Sequence, residues 1–255
     1  MTLSRRLFVT SGASLGLLTL AACSSNPVDK AEQAATPATD TTAAPADTAT
    51  AAPAETTATP ANAADLYDGS PVPPLGTDPL LNPDGIQDRP VGGKNAKVIM
   101  IEYSSPTCPH CAAFANDVYP EFKKKYVDTG EVTFVLRPFV RNVLDAVVFL
   151  LADAAGPGNY VSVVETYFKT VNTWATSDKP RDAIEEIALQ LGFTKDSFEA
   201  ALTNQTLFDG LDKLRTQALD KFDVTGTPTF FINGKKFVGE HSLVQFSAAI
   251  DPLLA

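Results

Sequence analysis

Cysteine is scarce in this chain: there are three in 255 residues, Cys23, Cys108 and Cys111. A structural zinc site takes about four ligands, and no second cysteine pair is present to complete one. Methionine occurs only twice, so there is no cluster of soft thioether ligands. No metal site is expected. Basic charge is also in short supply, with 20 Lys and Arg against 30 Asp and Glu, for a formal net charge of -10. The first 22 residues hold Arg5 and Arg6 and no acid, so the remainder carries -12, which is -10 less those two charges. That balance argues against a nucleic-acid partner or an anionic lipid surface. The longest apolar stretch, Leu7 to Leu20, is broken by Ser11, Gly12, Ser14 and Gly16. It is too short and too interrupted to span a bilayer as a stable anchor. Aromatic residues are missing altogether from residues 24–65.

These gaps divide the chain. Residues 1–22 have the positive start and apolar middle of a bacterial export signal. Residues 23–65, rich in Ala, Thr and Pro, cannot bury enough apolar surface to offset their ordering entropy. They are expected to form a disordered tether, about 42 residues long after the cysteine, with an r.m.s. span of about 35–40 Å. Residues 66–87, dense in Pro, Gly and Asp, read as an irregular lead-in that packs loosely, with ordered structure beginning near Arg89. One domain is expected over 88–255.

Within it, Ala96–Tyr103 is a continuous apolar run, the pattern of a buried strand. Cys111, Phe114, Val118, Phe122 and Tyr126 then recur at helical spacing, with Pro120 expected to kink the helix and Gly130 to end it. Val132–Leu136 is a second strand, so strand, helix and strand form a βαβ unit with parallel strands. Residues 142–222 carry no strand signal and fit a series of helices. Thr229–Ile232 and Lys235–Val238 flank Asn233-Gly234, the pair favoured in type I′ hairpin turns. A closing helix covers about 242–254. Trp174 and the phenylalanines are expected in the core, and His241 on a surface or loop.

The chemistry is concentrated in Cys108-Pro109-His110-Cys111. Two intervening residues let both sulfurs share one helical turn. Cys108 falls at the helix start, where free amides and the macrodipole favour its thiolate. It is expected to be the exposed nucleophile. Cys111, one turn inside, is expected to resolve the mixed disulfide. His110 can add charge or a hydrogen bond near the Cys108 sulfur.

Strand, CxxC helix, strand, helices, then Thr227-Pro228 and a hairpin is the order of the thioredoxin fold. With its all-helical insertion at about 142–222, the chain resembles the DsbA-like thiol:disulfide oxidoreductases of the bacterial envelope. Glu102, the CPHC motif and Thr227-Pro228 carry the resemblance, which spans about residues 88–254. It implies an α/β fold of that type and an enzyme whose only redox group is the Cys108–Cys111 disulfide, without a separate cofactor. It also implies that Pro228 is cis and that Thr227 offers its backbone to an extended substrate. Glu102 would be a buried acid relaying protons for Cys111. Oxidation of cysteine-containing exported proteins is the favoured direction, because CPHC is the DsbA dipeptide. Thr227, where the best-known oxidases carry Val, leaves a reductase or isomerase open. A Cu(I)-binding lipoprotein is the alternative of another class. The implied redox partner is a DsbB-like or DsbD-like membrane protein, and a monomer is expected.

Leu20-Ala21-Ala22-Cys23 resembles the lipobox of bacterial lipoproteins, which implies lipidation at Cys23 and anchoring to a membrane in the periplasm or cell envelope. Ser4-Arg5-Arg6-Leu7-Phe8 resembles the twin-arginine export motif.

Overall fold

The structure, a computed structural model, describes residues 61–156 and 158–255. The expected export signal, Cys23 and nearly all of the expected tether lie outside these residues. The described chain opens with β1 (Leu66–Asp68), β2 (Pro90–Gly93) and β3 (Val98–Ser104). Helix α1 (Pro109–Ala113) and helix α2 (Tyr119–Phe122) are each followed by a π-helical turn, Phe114–Val118 and Lys123–Val127. Pro120 has no amide to donate, and the widened turns on either side of it take up the defect. The expected kink is therefore a pair of π-turns. Strand β4 (Val132–Pro138) follows.

Six helices come next: α3 (Val143–Ala154), α4 (Tyr160–Lys169), α5 (Val171–Trp174), α6 (Pro180–Gln190), α7 (Lys195–Leu202) and α8 (Gln205–Phe222). This is the expected helical insertion. Trp174 is fully buried within it and donates its indole N–H to the Tyr167 carbonyl at 2.9 Å. The chain ends with β5 (Thr229–Ile232), β6 (Lys235–Val238) and α9 (Leu243–Leu254). Asn233 and Gly234 both have positive φ, 45° and 83°, as the type I′ turn requires.

The six strands lie in the order β1-β2-β4-β3-β5-β6. β3 and β4 are parallel, as the βαβ unit demands, and the other pairs are antiparallel. Side chains alternate across β3. Val98 and Met100 join the larger core with α1, α2 and the helical insertion, while Ile101 and Tyr103 join a smaller core on the opposite face. Alternation places Glu102 on the Met100 side, the face that α1 covers. Phe114 sits at the centre of that face, with ring centroids 4.8 Å from Phe230 and 5.7 Å from Phe246.

The lead-in differs from its expected looseness. Leu66–Asp68 add a strand to the sheet, and Leu80 is buried in the smaller core. Arg137, fully buried at the end of β4, binds Asp88 through two bonds of 2.8 and 2.6 Å. It also donates to the Leu80 carbonyl at 2.7 Å and the Tyr103 hydroxyl at 2.9 Å. Gln217 of α8 accepts from the Asp84 amide and donates to the Asn82 carbonyl, each at 3.0 Å. Gly210 lets α8 approach this segment: a Cβ there would stand 2.3 Å from the Gly85 carbonyl oxygen. Polar and glycine contacts hold the lead-in together with Leu80, Leu75, Leu81 and Ile86, whose irregular spacing gives no periodic apolar pattern to reveal it.

Candidate active site

The motif begins where β3 ends. Cys108 is the N-cap of α1, with extended backbone (φ -87°, ψ 120°), and Pro109 occupies the first helical turn, where its missing amide costs nothing. The loop Ser105–Thr107 before it is clamped by the start of α3. Buried Asp145 accepts from the Ser105 hydroxyl (2.8 Å), the Thr107 amide (2.8 Å) and the Arg141 amide (2.9 Å). Asn142 donates to the Thr107 hydroxyl at 2.8 Å. Asn142 is also the N-cap of α3, its side chain accepting from Leu144 and Asp145 amides. The helix that starts the insertion therefore fixes the approach to the nucleophile.

Cys108 and Cys111 are free thiols here. The Thr227–Pro228 bond is cis and brings the Thr227 carbonyl to 3.2 Å from the Cys108 sulfur. Cys108 is consequently only 2 % exposed, contrary to the expected open nucleophile, while Pro109 and His110 beside it are exposed. The Cys108 thiol is drawn down to about 5. A hydrogen bond from Cys111 is the largest cause, and the Thr227 side chain and the backbone amides of Cys111 and His110 add to it against the opposing effect of burial. Burial and the neighbouring Cys108 push Cys111 well above its ordinary value. Glu102, 1 % exposed, is raised to about 8, mainly by burial, with the Cys108 charge adding and Ser104 opposing. At neutral pH the site thus holds a thiolate at Cys108, a thiol at Cys111 and a carboxylic acid at Glu102. That is one nucleophile with a proton donor and a proton store behind it.

Cys108, Cys111, Glu102, Thr227 and Pro228 are all brought together. His110 is adjacent, but its side chain does not bond the Cys108 sulfur. Its Nδ1 donates instead to the Glu240 carboxylate, whose hydrogen bond and charge raise the imidazole above its ordinary value. Glu240 lies 130 residues away in sequence and carries no local mark. Asp145 was legible only as an acid in a helix's first turn. His241 lies in the loop between β6 and α9, as expected, with its ring half-buried and its centroid 5.7 Å from Phe237, 5.6 Å from Phe246 and 6.4 Å from Phe230. Among the described residues no three His, Cys, Asp or Glu side chains cluster in a way that could hold a metal ion.

Residues 85–252 match the family described as Thioredoxin. A Rickettsia felis protein named for protein-disulfide oxidoreduction is 32 % identical over 168 residues, covering 66 % of this chain and 60 % of that protein. The thiol:disulfide interchange protein DsbA of Yersinia pestis is 28 % identical over 159 residues, covering 59 % of this chain and 72 % of the relative. The crystal structure of Wolbachia pipientis alpha-DsbA1 superposes with a TM-score of 0.63 at 27 % identity, covering 66 % of this chain and 90 % of that one. The chain spans about three fifths of the length of the Rickettsia relatives it matches. The shared span contains the sheet from β2 onward, the CxxC helix, the helical insertion and the cis-proline loop, and by it the chain belongs to the thioredoxin family, among its DsbA-like members.

Proposed function

We propose that this protein is a thiol:disulfide oxidoreductase that exchanges its Cys108–Cys111 disulfide with cysteines of exported proteins, working chiefly as an oxidase. One observation carries the proposal: Cys108 caps the start of α1, with buried Cys111 one turn inside the helix and the Thr227 carbonyl 3.2 Å from the Cys108 sulfur. A substrate thiolate attacks the Cys108 sulfur of the disulfide and Cys111 leaves, taking a proton from the Glu102 carboxylic acid. A second substrate thiolate then attacks the substrate sulfur of the mixed disulfide and Cys108 departs as thiolate. The substrate gains a disulfide and the enzyme becomes the dithiol. Because Cys108 is a stable leaving group, the last step is favoured and the enzyme disulfide is oxidising. A DsbB-like membrane protein would restore the disulfide.

Thr227, where the best-known oxidases carry Val, meets the Cys108 sulfur through its carbonyl at 3.2 Å and supports a second reading as reductase or isomerase. In that case a DsbD-like donor would keep the pair reduced. The resemblance of Leu20-Ala21-Ala22-Cys23 to a lipobox and the Ala-, Thr- and Pro-rich composition of residues 24–65 support an envelope enzyme that acts as a monomer on a lipid anchor. Equilibration of the purified protein with glutathione separates the directions. The oxidase reading expects a potential toward that of DsbA, about -120 mV, and a value near thioredoxin's, about -270 mV, overturns it. The Cys108→Ser variant should lose all exchange activity. Cys111→Ser should instead retain substrates as mixed disulfides, and palmitate labelling of Cys23 checks the anchor.

A further inference from the structure

We infer that Glu240 is a positioning residue that holds the His110 imidazole away from the Cys108 sulfur, and so restrains the oxidising power of the CPHC pair. This rests on the reading of Cys108–Cys111 as the redox centre. The geometry is specific. His110 sits two residues after the nucleophile, where its ring could donate to the thiolate. Its Nδ1 is instead engaged by the Glu240 carboxylate, and among the described residues no hydrogen bond joins the ring to Cys108. The groups that lower the Cys108 thiol most are Cys111, Thr227 and two backbone amides, not the imidazole.

Glu240 is not a freely moving surface acid. The Gly239 amide before it donates to the Pro228 carbonyl at 2.9 Å, which ties the Glu240 loop to the cis-proline loop. His241 after it is wedged between the Phe230, Phe237 and Phe246 rings. Ser242 then caps α9 in a capping box with Gln245. Glu240 is therefore fixed on both sides and aimed across the mouth of the site at His110. At pH 6, below the ordinary imidazole value, the ring stays largely cationic with or without Glu240, and removing the carboxylate frees Nδ1 to donate to the Cys108 thiolate. That contact stabilises the reduced form and makes the disulfide more oxidising.

The test is the equilibrium of the disulfide with glutathione at pH 6 in four proteins: wild type, Glu240→Gln, His110→Ala and the double variant. Glu240→Gln is expected to shift the equilibrium about three- to fivefold toward the reduced protein, in line with an exposed charge pair. The same substitution in the His110→Ala background is expected to shift it less than about 1.5-fold, because Glu240 acts through the imidazole. Exchange that proceeds with no shift, with a shift toward the oxidised protein, or with an equal shift in both backgrounds overturns the inference while leaving the redox centre standing. Absence of any exchange in wild type overturns both. Thermal unfolding of Glu240→Gln should match wild type, since both partners are exposed, and a loss of stability would mark the pair as structural.

Discussion

Glu102 and Cys108 set opposite pH dependences on the reduced protein, and the signs follow from their shifts. Glu102 is raised from 4.5 to about 8, so its contribution to stability is fully present below 4.5 and is lost as pH rises through about 8. Cys108 is lowered from 9.0 to about 5, so its contribution is present above 9.0 and is lost as pH falls through about 5. Between pH 5 and 8 the two slopes oppose each other, so Glu102→Gln should unmask a rise in stability with pH of several kcal/mol at about 1.4 kcal/mol per unit, measured by urea unfolding of the reduced protein. Cys111→Ala removes the largest contact lowering Cys108, so thiol titration should place Cys108 in that variant clearly above its wild-type value. These residues were legible in the sequence because each occupies a marked place: a CxxC spacing, a lone acid in an apolar run, a Thr-Pro before a strand. Glu240 and Asp145 were not, because their partners lie 130 residues and about 40 residues away, and nothing local distinguishes them from solvated acids.

The elements divide along the same line. β3, β4, the hairpin and α8 declare themselves through apolar runs, stripes and an Asn-Gly turn, and the structure places them within a few residues of expectation. The CxxC helix declares its buried face but not its π-turns, because the path around Pro120 is decided by packing of Phe114, Tyr119 and Phe122 against Phe134 and Phe246. Phe114 anchors that packing one turn below Cys111. Phe114→Ala should cost about 3–5 kcal/mol in urea unfolding and should slow exchange by loosening the helix that presents both sulfurs. β1 is three residues long and has no alternation to detect. The lead-in owes its order to a buried ion pair whose two halves, Asp88 and Arg137, read separately as ordinary charges at segment ends. Asp88→Ala leaves the Arg137 guanidinium buried and unpaired, and should destabilise the fold by about 3–5 kcal/mol, seen as a lower urea midpoint.

Across the whole molecule, the site forms where three separately encoded parts meet: the CxxC helix start, the loop clamped by the first helix of the insertion, and the cis-proline loop tied to Glu240. The fold class was legible because the order of strand, helix, strand and hairpin agrees with the resemblance carried by Glu102, the CPHC motif and Thr227-Pro228. How far the chemistry leans toward oxidation did not follow from the motif, since it depends on contacts between those parts. Thr227 covers the Cys108 sulfur, and Glu240 diverts His110 from it. The account turns on the claim that this assembly makes Cys108 a stabilised thiolate. Titration of the reduced protein by the ultraviolet absorbance of its thiolate tests this most directly. The account expects one inflection near 5, with Cys111 remaining protonated far above neutrality. A first inflection near 9, the ordinary value for a free cysteine in this environment, would contradict it.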